Sequence, residues 1–193
     1  MKTTRNFFVF TLLVFVIACK KNDNPAPVYA EENPLNGFLS ASGYNQVQIS
    51  RINDAFTYET GFSFKPLVKG KISSIYALIP APNSSLRVTI WETATKTVVR
   101  TEILNVTSAN VPVIKSITPL ELTKDKEYVI SMNTDDFYFR ERTNGQAAVY
   151  PVQVGNISVT DYRERIGTAQ IFPEGVQPDY YYGNCSFVFQ QTP

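Results

Sequence analysis

No histidine occurs in this sequence, and that narrows the chemistry its remaining side chains can do. Ser-His-Asp triads, imidazole acid/base catalysis and the commonest zinc ligand sets are excluded. What is left is carboxylates, tyrosines, lysines and serines. Two carboxylate pairs invite comparison with glycoside hydrolases: Glu92 with Glu102, and Asp161 with Glu164. Nothing around either pair predicts the raised pKa that an acid catalyst needs, so neither an enzyme nor a catalytic residue is expected. Asn133, Asp135 and Asp136 offer oxygen ligands for Ca²⁺. Their spacing matches no EF-type loop, and a turn at a strand end is the simpler reading. No metal and no cofactor is predicted.

Binding chemistry is a different matter. Trp91 is the only tryptophan, and it alternates with Leu86, Val88 and Ile90, so its ring lies on the opposite face of a strand from theirs. It is either an exposed platform on which the C–H face of a sugar ring stacks, or a large aromatic packed under a loop or against a second sheet, the commoner fate of such residues. Tyr138 and Arg140, together with Tyr162 and Arg163, form a second candidate. Arg supplies directional donors and Tyr supplies a stacking face and a hydroxyl, so the four either line a loop-built groove or sit on a solvated face.

The two cysteines, Cys19 and Cys185, have separate expected roles. Cys19 follows Lys2 and Arg5 in an acid-free start, then the apolar run Phe7–Ile17. As a helix that run would reach roughly 16 Å, too short for a bilayer core of about 30 Å, so it reads as the apolar region of a signal peptide. The ending Val16-Ile17-Ala18-Cys19 resembles the lipobox of bacterial lipoproteins. The resemblance implies cleavage after Ala18 and a Cys19 thiol that accepts diacylglycerol. Two or more acyl chains, at about 0.8 kcal/mol per buried CH₂, make a stable anchor. Lys and Arg total 18 against 17 acids, so lipid, not a basic patch, would hold the protein to the membrane, and nucleic acid is not expected as a partner. Cys185 then has no partner within the chain. It shares its parity with Gly183, Phe187 and Phe189, which places it on a core face as a buried thiol.

The elements that must position these residues are strands. Lys20–Gln46 is rich in Asn, Pro, Ala and Ser, has no sustained period, and reads as a flexible tether over residues 19–46. From Val47 onward, through 47–193, apolar residues alternate with polar ones between turn residues every eight to twelve positions. Phe56 and Tyr58, then Phe62 and Phe64, follow in a run broken by Gly61 and ended by Pro66. Lys71–Ile79, Leu86–Trp91, Thr97–Leu104, Val113–Leu122, Tyr128–Met132 and Phe137–Arg140 follow, and Tyr180–Phe189 closes the series. No window reads as an amphipathic helix. Between Asn144 and Asp179 the alternation weakens, and this stretch, which holds Asp161-Tyr162-Arg163-Glu164-Arg165, reads as a long functional loop.

In order, these residues resemble an uncharacterised bacterial family, a domain of unknown function found in secreted and surface proteins. The resemblance is carried by Gly61-Phe62-Ser63-Phe64, by Lys69-Gly70-Lys71-Ile72, and by the tryptophan-ended strand Leu86–Trp91. Pro119–Thr123 leading to Glu127-Tyr128-Val129-Ile130, Pro173 ahead of Tyr180-Tyr181-Tyr182, and the closing Phe187-Val188-Phe189 extend it. It spans roughly Phe56–Phe189 and implies a sandwich similar to carbohydrate-binding modules, without catalytic residues. The turn Thr93-Ala94-Thr95-Lys96 departs from the family's glycine-containing turn. The expectation is therefore an all-β, antiparallel, jelly-roll-like sandwich on a lipid anchor, in the cell envelope at the outer membrane. Its function would be to bind a polysaccharide or, alternatively, to act as a structural or adhesion protein contacting another envelope protein.

Overall fold

The computed structural model describes residues 27–193. The expected signal peptide over 1–18, the acylated Cys19 and the first part of the tether lie outside these residues. Within them the chain begins with a short strand, β1 (Glu31–Glu32), and a helix, α1 (Leu35–Ser42). A run of strands follows: β2 (Val47–Arg51), β3 (Tyr58–Pro66), β4 (Gly70–Ala77), β5 (Asn83–Glu92), β6 (Thr97–Val106), β7 (Val113–Leu122), β8 (Tyr128–Thr134) and β9 (Phe137–Glu141). The last five are β10 (Val152–Val154), β11 (Ile157–Ile166), β12 (Gly175–Val176), β13 (Tyr180–Tyr182) and β14 (Cys185–Gln191).

Two sheets stack to make the body. One has the order β1-β14-β4-β7; the other runs β10-β11-β3-β8-β5-β6, with β12 on the far edge of β11. All pairings are antiparallel. Set aside β10–β12 and the sheets read β1-β14-β4-β7 over β3-β8-β5-β6, the interleaved order of a jelly roll. The alternation that builds it is the one visible in the sequence. Phe62 and Phe64 of β3, Leu86, Val88 and Ile90 of β5, and Ile130 and Met132 of β8 point inward and are fully buried, as are Ile72 and Ile75 of β4 and Phe187 and Phe189 of β14. The layers meet through rings, with Phe64 and Phe187 centroids 4.5 Å apart. β3 runs unbroken through Gly61, where an expected interruption gives way to close packing: a Cβ there would strike the backbone of Ile130 on β8, and only glycine fits. A third sheet, β13-β9-β2, covers one end of the sandwich.

Two expectations are corrected. Residues 31–46 are part of the domain, not tether: β1 pairs with the Gln190 end of β14, and Leu35, Phe38, Leu39 and Tyr44 are buried in the core. The segment Leu35-Asn36-Gly37-Phe38 has weak helical propensity, and packing of Phe38 against Phe62 and Tyr181 supplies what propensity does not. Gly43, at φ 84°, ends the helix in a left-handed turn. The stretch between Asn144 and Asp179 is also not one long loop. It contains β11, which pairs with β3 along nearly its whole length, so Asp161–Arg165 lies on a strand within a sheet.

Candidate functional site

The structure does not assemble Tyr138, Arg140, Tyr162 and Arg163 into a surface groove. Tyr138 and Arg140 are buried on β9. The Arg140 guanidinium donates from Nε to Asn184 Oδ1 at 3.0 Å and from Nη1 to the Tyr44 carbonyl, while the Tyr138 hydroxyl bonds Asn110 Oδ1. Tyr162 and Arg163 are neighbours on β11 and so point to opposite faces. Tyr162, opposite Phe62, is fully buried, and burial drives its hydroxyl pKa well up. Arg163 faces outward, half-buried.

Trp91 is buried too, at 2% exposure. Its parity is as the sequence predicts, opposite the inward Leu86, Val88 and Ile90, but the outer face on which it lies is covered by residues 167–176. Phe172 packs edge-on against its ring at 6.0 Å, and Trp91 Nε1 donates to Ser131 Oγ at 2.8 Å. Ser131 in turn donates to Glu59 Oε1 at 2.6 Å, and Arg87 Nη2 pairs with Glu59 Oε2 at 2.9 Å.

The carboxylate pairs are likewise separated. Asp161 faces outward opposite Ser63, and Glu164 faces the other way opposite Thr60. Glu92 pairs with Lys126 at 2.8 Å, and Glu102 with Lys115 at 2.8 Å. Of the calcium candidates, Asn133 donates to the Gly167 carbonyl and Asp136 Oδ1 accepts the Asn53 N–H. Cys185 is fully buried as expected, its thiol donating toward the Thr60 carbonyl at 3.7 Å, and burial pushes its pKa far above the ordinary thiol range.

The strongest concentration of accessible aromatic surface lies elsewhere, at the end capped by β13-β9-β2. Pairing brings Tyr182 beside Phe139 and Ile49, and Tyr180 beside Glu141 and Val47. The start of β3 adds Tyr58. Tyr180 and Tyr182 stack at 4.7 Å with rings 19° apart, and Tyr182 stacks on Phe137 at 4.7 Å. Tyr58 meets Tyr182 edge-on at 5.2 Å and Phe56 at 6.5 Å. Tyr58, Phe139, Tyr180 and Tyr182 are partly exposed; Phe56 is 54% exposed and Ile49 41%. Beside the rings, the Glu164 carboxylate accepts from the Tyr162 hydroxyl at 2.8 Å and the Tyr180 hydroxyl at 3.1 Å. Burial first, then Glu164, pushes the Tyr180 pKa up, so this hydroxyl stays a donor across the neutral range. Arg51 lies over the Phe139 ring at 5.9 Å. Flat apolar faces next to a carboxylate, phenol hydroxyls and a guanidinium suit a ligand with C–H faces and many hydroxyls.

Sequence reasoning missed this surface because its residues come from five separated segments. The run Tyr180-Tyr181-Tyr182 was the available signal: on a strand, its first and third rings share a face while the second turns into the core, where Tyr181 is fully buried. No family model matches the chain, and no curated protein matches it.

Proposed function

We propose that this is a lipid-anchored protein of the cell envelope, held at the outer membrane through Cys19, whose non-catalytic β-sandwich binds extracellular polysaccharide on the aromatic surface at its β13-β9-β2 end. The observation that carries the reading is the continuous set of partly exposed rings from Phe56 to Tyr180 with the Glu164 carboxylate beside it. Pyranose C–H faces stack on such rings, and sugar hydroxyls bond the carboxylate and phenols.

Affinity-gel electrophoresis of the chain carrying Cys19→Ala against a panel of neutral and acidic polysaccharides tests it. At least one polymer should retard migration, and Tyr180→Ala should weaken that retardation about tenfold, since stacked aromatics carry much of the energy in such contacts. Failure of every polymer to retard the protein would discard this reading. Growth of the native host with labelled palmitate tests the anchor separately: label should depend on Cys19.

The exposed Ile49 and Ile166 at the rim of the same surface favour a second reading, a structural or adhesion role in which another envelope protein docks there. Cross-linking in membranes distinguishes the two, because a stoichiometric protein partner is expected only of the second.

A further inference from the structure

The outer face of the larger sheet carries polar side chains that are not aimed at solvent. They are aimed at residues 167–176, a strap laid across them. Arg87 Nη2 donates to the Thr168 carbonyl at 3.0 Å, Asn133 Nδ2 to the Gly167 carbonyl at 2.9 Å, and Arg163 Nη1 to the Glu174 carbonyl at 3.5 Å. In the other direction, the strap's Gln170 carboxamide donates to the hydroxyls of Thr89 at 3.1 Å and Thr101 at 2.6 Å. Phe172 sits on Trp91 and Val129 in a small apolar cluster separate from the main core. The strap ends as β12, two residues paired to β11.

This is how a sheet face recognises a peptide: side-chain donors take main-chain carbonyls, one pocket takes an aromatic ring, and a short pairing fixes the direction. The hold is slight. Within the strap only Phe172 and Pro173 are buried, and Gln170, Ile171, Glu174 and Val176 are exposed. The face beneath is hydrogen-bonding and water-compatible apart from the Trp91 pocket, unlike the apolar inner face of the same sheet. Outside the Trp91 pocket, detaching the strap uncovers polar groups that water can satisfy.

We propose that this outer face is a peptide-binding groove occupied in cis by residues 167–176, and that its ligand in trans is an extended segment of another protein with a carboxamide side chain two positions before an aromatic residue. The strap is then an autoinhibitory occupant, and its own contacts specify the guest. The groove is a different surface from the aromatic end and stands or falls independently of polysaccharide binding.

A fluorescent peptide of residues 168–176 (TAQIFPEGV) is the probe, titrated by anisotropy into the full chain. Phe172→Ala empties the pocket from within and should bind the peptide at least about tenfold more tightly than wild type, whose groove is free only in its open fraction. The same peptide with its Phe replaced by Ala should not bind. Because Trp91 is the sole tryptophan, acrylamide quenching of its emission should rise in Phe172→Ala and fall again with peptide. Gln170→Ala, an exposed position, gives a second variant if Phe172→Ala fails to fold, and it too should bind more tightly than wild type. Equal affinity of a folded variant and wild type, or equal affinity for a scrambled peptide, would overturn the proposal.

Discussion

Glu59 has no contact with solvent, and its carboxylate is held by one guanidinium and one hydroxyl. A buried charge whose partner is removed keeps its desolvation cost and loses its compensation. Arg87→Ala should therefore lower stability by about 3 kcal/mol, read as a fall in the urea midpoint; an unchanged midpoint would mean that water reaches Glu59. Single residues also show where sequence reading stops. The side of β5 to which Trp91 points follows from alternation, and so does the burial of Cys185. What lies over Trp91 does not, because Phe172 arrives from a segment far along the chain, and nothing local to either residue encodes their meeting. Tyr162 illustrates the same limit. Polar neighbours suggest a surface position, yet pairing of β11 with β3 turns that one ring into the core.

At the level of elements, the strands with clean alternation were the legible ones. Leu86–Trp91 and Val113–Leu122 lie where the pattern puts them, in β5 and β7, because alternate side chains of each turn toward the core. The helix α1 was not legible. It is short, contains Gly37, and follows prolines, so local propensity favours a loop; its existence depends on the cavity between the sheets that Phe38 fills. Phe38→Ala should consequently cost about 3 kcal/mol or more, as for other fully buried aromatics, measurable by chemical denaturation. A loss below about 0.5 kcal/mol, the range of surface substitutions, would return residues 35–42 to the status of linker. β11 was missed for a related reason: it is flanked by proline- and glycine-rich segments that blur its ends, and its outward positions carry charges that meet the strap instead of solvent.

For the molecule as a whole, the buried tyrosines set an upper limit on the pH at which it stays folded. Burial raises the Tyr44 hydroxyl to about 12 and also drives those of Tyr162 and Tyr181 well above their ordinary value. The native state thus keeps protons that the unfolded chain, titrating near 10, gives up. Stability is complete below pH 10 and falls as pH rises through 10 toward 12. The urea midpoint should drop between pH 8 and about pH 11, and a flat profile would show that these phenols ionise without leaving the core. The whole molecule also has a direction. The chain enters the sandwich where Glu31 and Glu32 meet the Gln190 end of β14, beside Asn156, which bonds Glu32, and the Pro66 end of β3, which pairs with Ile157. The Tyr58 end of β3 and the Tyr180–Tyr182 strand lie at the other extremity, roughly 26 Å away along a strand of this length. Under the acylation of Cys19 proposed above, the leash would meet the particle at its Glu31 base, and the row of rings would crown the opposite pole.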